Sequence, residues 1–294
     1  MNDLMTAPTL PITRTLTALR QTVATWRSQG LRVGFVPTMG ALHAGHLALV
    51  SEAGRQADRV VASVFVNPTQ FAPHEDLATY PRREAEDAAL LASAGCHLMY
   101  APSVETMYPQ GSVTRILVGD GETGGPSQGL EGQFRPQMFA GVALVVAKLF
   151  NQVGADVAVF GEKDWQQLKV IQRMVADLDI ATRIVGVRTL RDDHGLALSS
   201  RNAYLTDADL AIARRLNTVL TAAAARIEAG TSPTDAEAWA SQALLEAGFH
   251  HIDYVAVRRA NDLAEVRSLA EGPLRILAAA WLGKTRLIDN KAVG

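Results

Sequence analysis

The chain has 294 residues, 48% of them apolar and 20% charged. That is long enough for two domains of ordinary size and too rich in apolar residues for disorder, collagen-like repeats or coiled coil. With 28 Lys plus Arg against 30 Asp plus Glu, the net charge is −2, so no basic field recruits nucleic acid. No apolar run approaches the roughly 20 residues of a membrane span. The start, with Asp3 and no basic segment, lacks the pattern of a secretory signal. The expectation is a cytoplasmic protein with neither a nucleic-acid nor a membrane partner. Its one cysteine, Cys96, has no intrachain disulfide partner and sits in an apolar stretch, so it is assigned to a core.

In chain order, the pattern predicts a helix over 16–29 closed by Gly30 and a strand over 31–36. Turn formers occupy 37–45, and Leu47, Val50 and Ala53 then set the phase of a helix over 46–57. The apolar run 60–66 follows at a βαβ distance and reads as a parallel strand buried on both faces. The alternation continues with a helix over 84–94 and a strand over 97–100. After a Gly-rich stretch, 119–132, come a helix over 141–153, a strand over 157–160, a helix over 165–177 and a strand over 184–187. The fold class is α/β: residues 1–189 form a doubly wound, Rossmann-like parallel sheet, which binds ligands at the C-terminal ends of its strands. Helices over 207–229 and 234–247, then strands over 251–257, 274–280 and 285–289, predict a smaller C-terminal α+β domain at 190–294 with a short antiparallel sheet.

Four polar groups fall where such a sheet places its chemistry. His43-Ala44-Gly45-His46 stands at a strand-to-helix junction, where unpaired helix N–H groups and two imidazoles suit an anion; a capping His plus a packed one is the structural alternative. Asn67-Pro68-Thr69-Gln70 ends the second buried strand, and its amides suit a hydroxy acid or simply make a turn. Gly161-Glu162-Lys163-Asp164, with Gln166 and Gln167 beyond it, is a phosphate site or a surface cap. Leu198-Ser199-Ser200-Arg201-Asn202 offers hydroxyls and a guanidinium for phosphate, or a cap. Four such groups gathered by one sheet favour a nucleotide enzyme. Neither a Walker pattern nor a Gly-x-Gly-x-x-Gly after the first strand is present, so P-loop and dinucleotide readings lose support.

Longer motifs sharpen this. They are Val-Pro-Thr-Met-Gly-Ala-Leu-His-Ala-Gly-His (36–46), Ser-Val-Phe-Val-Asn-Pro-Thr-Gln-Phe (63–71), Tyr-Pro-Arg (80–82), Leu-Glu-Gly (130–132), Phe-Gly-Glu-Lys-Asp (160–164), Asp-His-Gly-Leu-Ala-Leu-Ser-Ser-Arg-Asn (193–202) and Arg-Leu-Ile-Asp-Asn (286–290). Through them nearly the whole chain resembles the pantothenate synthetase (pantoate–β-alanine ligase) family of the HxGH nucleotidylyltransferase superfamily. The resemblance implies that pantoate attacks the α-phosphate of Mg-ATP to give pantoyl adenylate and pyrophosphate, and that β-alanine then displaces AMP to give pantothenate. It implies His46, His43 and Lys163 as catalytic residues. The ATP contacts it implies are Met39, Gly40, Ala41, Leu42, His43, Ala44, Gly45 and His46, together with Gly161, Glu162, Lys163, Asp164, Val187, Leu198, Ser199, Ser200 and Arg201. Gln70, Gln167 and Asn67 would hold pantoate or β-alanine. Glu86 or Asp87 would help hold Mg²⁺, directly or through water, and the smaller domain would act as a lid on a homodimeric enzyme.

Another nucleotidylyltransferase of the superfamily would share His43 to His46 without needing Gln70, Gln167 and the serine pair. A nucleotide-binding regulator would bind ATP and release no AMP. The chain departs from the family pattern twice: Gln137-Met138-Phe139 stands where a His is usual, and Arg188 where Pro is usual. The first departure predicts one weakened substrate contact.

Overall fold

The computed structural model describes residues 10–72, 75, 77–119 and 124–294. The N-terminal segment with Asp3, and residues 120–123 of the Gly-rich stretch, lie outside the described residues. In chain order the elements are β1 (Ile12–Thr13), α1 (Leu16–Ser28), β2 (Val33–Thr38), α2 (Ala44–Gln56), β3 (Arg59–Val64), α3 (Glu84–Ser93), β4 (Leu98–Tyr100), α4 (Val104–Met107), α5 (Glu131–Phe134), α6 (Met138–Val153), β5 (Val157–Gly161), α7 (Trp165–Asp177) and β6 (Arg183–Val187). Then follow α8 (Asp207–Ala213), α9 (Arg215–Glu228), α10 (Pro233–Glu246), β7 (His251–Arg259), β8 (Leu274–Leu282) and β9 (Thr285–Val293).

The chain forms two compact units. The first comprises Met1–Ile116, Ala140–Gly161 and Met174–Val187; the second comprises Leu117–Phe139, Glu162–Arg173 and Arg188–Gly294. The cut expected near residue 189 lies just past Val187, but neither unit is contiguous: 117–139 and 162–173 group with the C-terminal residues.

The first unit is built on a six-stranded sheet of order β1-β4-β3-β2-β5-β6, parallel throughout. The chain winds outward from β2 through β3 to β4, then resumes with β5 on the other side of β2, so the topological switch falls between β2 and β5. Val36, Val60, Ala62, Met99, Val157 and Val159 are all buried, as continuous apolar runs must be when helices cover both faces. At Gly34 a Cβ would come within 3.1 Å of the Ala53 carbonyl oxygen, so the missing side chain lets α2 lie close on the sheet. Strand β1 was not expected from the sequence: it is two residues long, follows Pro11, and pairs only with β4.

The second unit carries the expected antiparallel sheet, β7-β8-β9. Helices α9 and α10 bury Leu216, Leu220, Ile227, Ala236, Ala240 and Leu244 with Ile276, Ala278 and Ala280 in one core. The single helix expected over 207–229 is two, because the helical pattern resets at Arg214; its Nε donates to Asp192 at 3.0 Å. Among the described residues, no helix is long and apolar enough to cross a membrane.

Candidate active site

In the first unit, the loop leaving β2 is shaped before it reaches the histidines. Gly40 (φ +84°) and Ala41 (φ +52°) both take the left-handed conformation. A Cβ at Gly40 would stand 2.9 Å from an Asp87 carboxylate oxygen, so conformation and space both demand glycine. Asp87, 2% exposed in the first turn of α3, accepts the N–H of Ala41 at 3.0 Å and of Leu42 at 2.8 Å, one on each oxygen. Burial pushes its carboxyl above the usual range, against the pull of these two N–H bonds. Thr38 accepts Gly40 N–H and donates to the Ser63 carbonyl, tying the loop to β3.

The loop delivers His43 as the N-cap of α2. His43 Nδ1 accepts the Gly45 N–H at 3.1 Å, and His46 Nδ1 accepts the His43 N–H at 3.3 Å, a reciprocal capping box made from two imidazoles. Their ring centroids are 4.1 Å apart. Because each Nδ1 accepts a backbone N–H, the neutral form of each ring carries its proton on Nε2. The capping reading of the motif thus applies to both histidines, each through its Nδ1. Met39, Leu42 and Gly45 are half-buried beside them, and Ala44 is exposed.

Strands β2 and β3 end together, Thr38 opposite Val64. The turn Pro68–Gln70 after β3 thus shares the sheet edge with the histidine loop. Asn67, 1% exposed, uses all of its amide inside the protein. Its Nδ2 donates to Gln70 Oε1 and to the Gly141 carbonyl; its Oδ1 accepts from Thr69 and from the Tyr108 hydroxyl at 2.8 Å. These bonds shape the turn that carries Gln70. Gln70 is half-buried, and its Nε2 lies 2.9 Å from Met39 Sδ.

Of the two acidic residues expected near magnesium, Asp87 accepts one backbone N–H on each oxygen, and Glu86 faces Arg83 at 3.5 Å with its side chain 68% exposed. Among the described residues, no group of three or more His, Cys, Asp or Glu is arranged to hold a metal ion.

In the second unit, Lys163 sits in the turn Glu162–Asp164, whose carbonyls at Glu162 and Lys163 both accept from the Asn290 amide. The Lys163 side chain is 19% exposed, with Asp164 at 3.6 Å. Gln166 and Gln167, adjacent on α7, have opposite fates. Gln166 is buried and donates to the carbonyls of Pro126, Gln128 and Gly129 while accepting the Glu131 N–H. Gln167 is half-buried, and its side chain makes no hydrogen bond among the described residues, which leaves its amide available. Ser199, Ser200 and Arg201 are half-buried at the turn Ser200–Tyr204, where Ser199 caps by accepting the Arg201 N–H. Leu198, half-buried, donates its N–H to Leu190. Val187, which closes β6 in the first unit opposite Gly161, is half-buried.

Sequence reasoning missed a buried network in the second unit. Glu131, 5% exposed, accepts from Tyr254 at 2.9 Å and Arg286 at 2.7 Å; Arg286 also donates to Asp253, which accepts from Trp281. Burial, with the Glu131 charge, pushes the Tyr254 hydroxyl well above its ordinary value. The network fixes the Leu-Glu-Gly turn, where Leu130 adopts φ +48°, a conformation costly for leucine. Only the motifs at 130–132 and 286–290 marked it in the sequence, and nothing there indicated that they meet. Met138, the departure from the family pattern, is 7% exposed at the start of α6, and Arg188 is exposed.

Comparison with known proteins is consistent along the chain. The family model described as pantoate-beta-alanine ligase matches residues 11–292. A pantothenate synthetase from Mesorhizobium japonicum is 56% identical over 279 residues, 95% of this chain and 96% of that one. Another from Caulobacter vibrioides is 55% identical over 295 residues, covering 99% and 100%. Among solved structures, a pantothenate synthetase from Thermus thermophilus superposes with TM-score 0.89 at 43% identity, covering 97% of this chain and 99% of that one. A pantoate-beta-alanine ligase from Francisella tularensis, complexed with beta-gamma ATP and beta-alanine, gives TM-score 0.80 at 32% identity, covering 96% and 97%.

Proposed function

The chain belongs to the pantoate-beta-alanine ligase family, and from that premise we propose how its residues share the family's reaction. It is an ATP-dependent, AMP-forming ligase that condenses pantoate with β-alanine. A carboxylate oxygen of pantoate attacks the α-phosphorus, the bond to the β-phosphate breaks, and pyrophosphate leaves with the electron pair. The β-alanine amine then attacks the acyl carbon of pantoyl adenylate, AMP departs, and a proton is released.

The observation that carries the assignment is the paired-imidazole cap. Both imidazoles are built into the N-terminus of α2, the positive end of the helix, which suits the charge that builds on the phosphate oxygens as pyrophosphate leaves. His46 and His43 stabilise that charge. Lys163 and Arg201 neutralise further phosphate charge, with the Ser199 and Ser200 hydroxyls as donors. Met39 to Leu42, Ala44, Gly45, Gly161, Glu162, Asp164, Val187 and Leu198 supply the rest of the nucleotide contacts. Gln70 and Gln167 hold pantoate, a role supported by the Gln167 amide having no partner among the described residues. Neutral amides orient the acid without a salt bridge that would compete for its attacking carboxylate. Magnesium enters with ATP, held by phosphate oxygens and water, in keeping with its reluctance to shed its hydration shell. On the family resemblance, the proposal extends to a homodimer working in the cytoplasm.

The test is isotope exchange. ATP and pantoate alone, without β-alanine, should move labelled pyrophosphate into ATP, because the adenylate forms before the amine is needed. Exchange that requires β-alanine, or ADP instead of AMP in the complete reaction, overturns the scheme.

A further inference from the structure

Two adjacent residues of β9 grip the two segments of the second unit that carry its cationic and hydroxyl side chains. Consecutive side chains of a strand leave on opposite sides, so neighbours can hold different segments at once. Asn290, 5% exposed, donates from its amide nitrogen to the carbonyls of Glu162 (2.9 Å) and Lys163 (2.8 Å). Its oxygen accepts from Arg275 at 2.6 Å, and that guanidinium lies over the Trp165 ring, 3.5 Å from its centroid. Both donors of the amide are thereby committed to the backbone that bears Lys163.

Asp289, 3% exposed, takes Arg191 in a bidentate pair at 2.6 and 2.9 Å. Arg191 also donates to the Gly195 carbonyl and bridges to Ala197, while Asn202 donates to the Ala197 carbonyl. The Asp289 carboxylate thus anchors the loop that runs into Ser199, Ser200 and Arg201. One of its oxygens also accepts the Asn290 N–H at 2.8 Å, joining the two grips.

We infer that Asp289 and Asn290 are positioning residues that fix Lys163 and the Ser199–Arg201 group relative to each other. The inference rests on the proposed function, in which both groups meet the ATP phosphates. Such donors lower a barrier only when held at the place where charge develops, and lysine, on a flexible stem, depends on its backbone for that. Stability alone is a weak reason for a buried ion pair and a fully spent amide on neighbouring residues, since apolar packing would often do as well.

Double-mutant cycles in the full-length protein, read by pyrophosphate exchange, test it. Asn290→Ala should lower kcat/KM for ATP by about 10- to 100-fold and leave KM for pantoate within about two-fold. Most of that loss should vanish in a Lys163→Ala background, whereas Asn290→Ala and Ser200→Ala should multiply. Asp289→Asn should behave conversely, coupling to Ser200→Ala and multiplying with Lys163→Ala. If Asn290→Ala multiplies equally with both, or raises KM for pantoate alongside ATP, the positioning role is overturned in favour of general loosening. Near-wild-type exchange in Lys163→Ala would instead overturn the site assignment itself. Should Asn290→Ala fail to fold, Asn290→Asp carries the same cycle: it keeps the volume and the acceptor for Arg275 and loses both donor bonds.

Discussion

Histidine is an uncommon helix cap, and here two of them serve as one. His46→Ala removes the acceptor for the His43 N–H and, in the proposed function, a donor to the reacting phosphate. Losing that backbone bond costs about 0.5–1.5 kcal/mol, a few degrees in thermal midpoint at most. The chemical effect should be far larger, roughly 10²- to 10³-fold in single-turnover adenylate formation. A rate near wild type would take His46 out of the reaction. Asp87 differs in kind, because its two oxygens accept the backbone N–H groups of the loop that leads to His43. Asp87→Asn turns an NH₂ donor toward one of the two N–H groups it now accepts, a mismatch on the order of 1–3 kcal/mol. The expected result is a raised KM for ATP with the magnesium concentration for half-activation moved by less than about two-fold. A shift of ten-fold in that requirement would make Asp87 a metal ligand after all.

At the scale of elements, helix α6 lies directly against the turn that presents Gln70. A Cβ at Gly141 would come within 2.4 Å of the Thr69 carbonyl oxygen and 2.8 Å of the Gln70 nitrogen. Gly141→Ala gains about 1 kcal/mol of helix propensity, but the overpacking costs about 1–3 kcal/mol and must displace the turn. KM for pantoate should rise several-fold while KM for ATP holds; equal effects on both would mean that the turn and the nucleotide loop move together. The same closeness explains what periodicity could and could not reveal. Apolar spacing placed a helix after the first buried strand, yet its start was read at His46, whereas α2 begins at Ala44. The cap is itself the candidate site, made from a residue type that capping preferences do not flag. Likewise the run 207–229 has uninterrupted helical composition, so nothing in it marks Arg214 as the residue that separates α8 from α9.

For the whole molecule, the βα alternation and the closing antiparallel strands were legible because buried parallel strands, amphipathic helices and Gly stops each leave a local signature. The pieces of the second unit were not. Residues 117–139 and 162–173 join the C-terminal residues through Gln166 on the 126–129 carbonyls, Asn290 on the Lys163 turn and Arg286 on Glu131, contacts that no window of sequence can display. For the same reason Asn67, Gln166 and Gln167 could not be ranked as amides: which one is spent and which is available depends on distant carbonyls. Cys96 was easier, since a lone thiol among apolar residues has little choice. It is 8% exposed, donates weakly to the Val60 and Leu98 carbonyls, and burial pushes its pKa up to about 11. At neutral pH the reactive thiolate is then on the order of 10⁻⁴ of the population, and the sulfur is out of reach of bulky reagents. The native chain is therefore a blank background for maleimide chemistry. A single cysteine introduced at Val113, 88% exposed, would take a fluorophore alone, with Cys96 left in place.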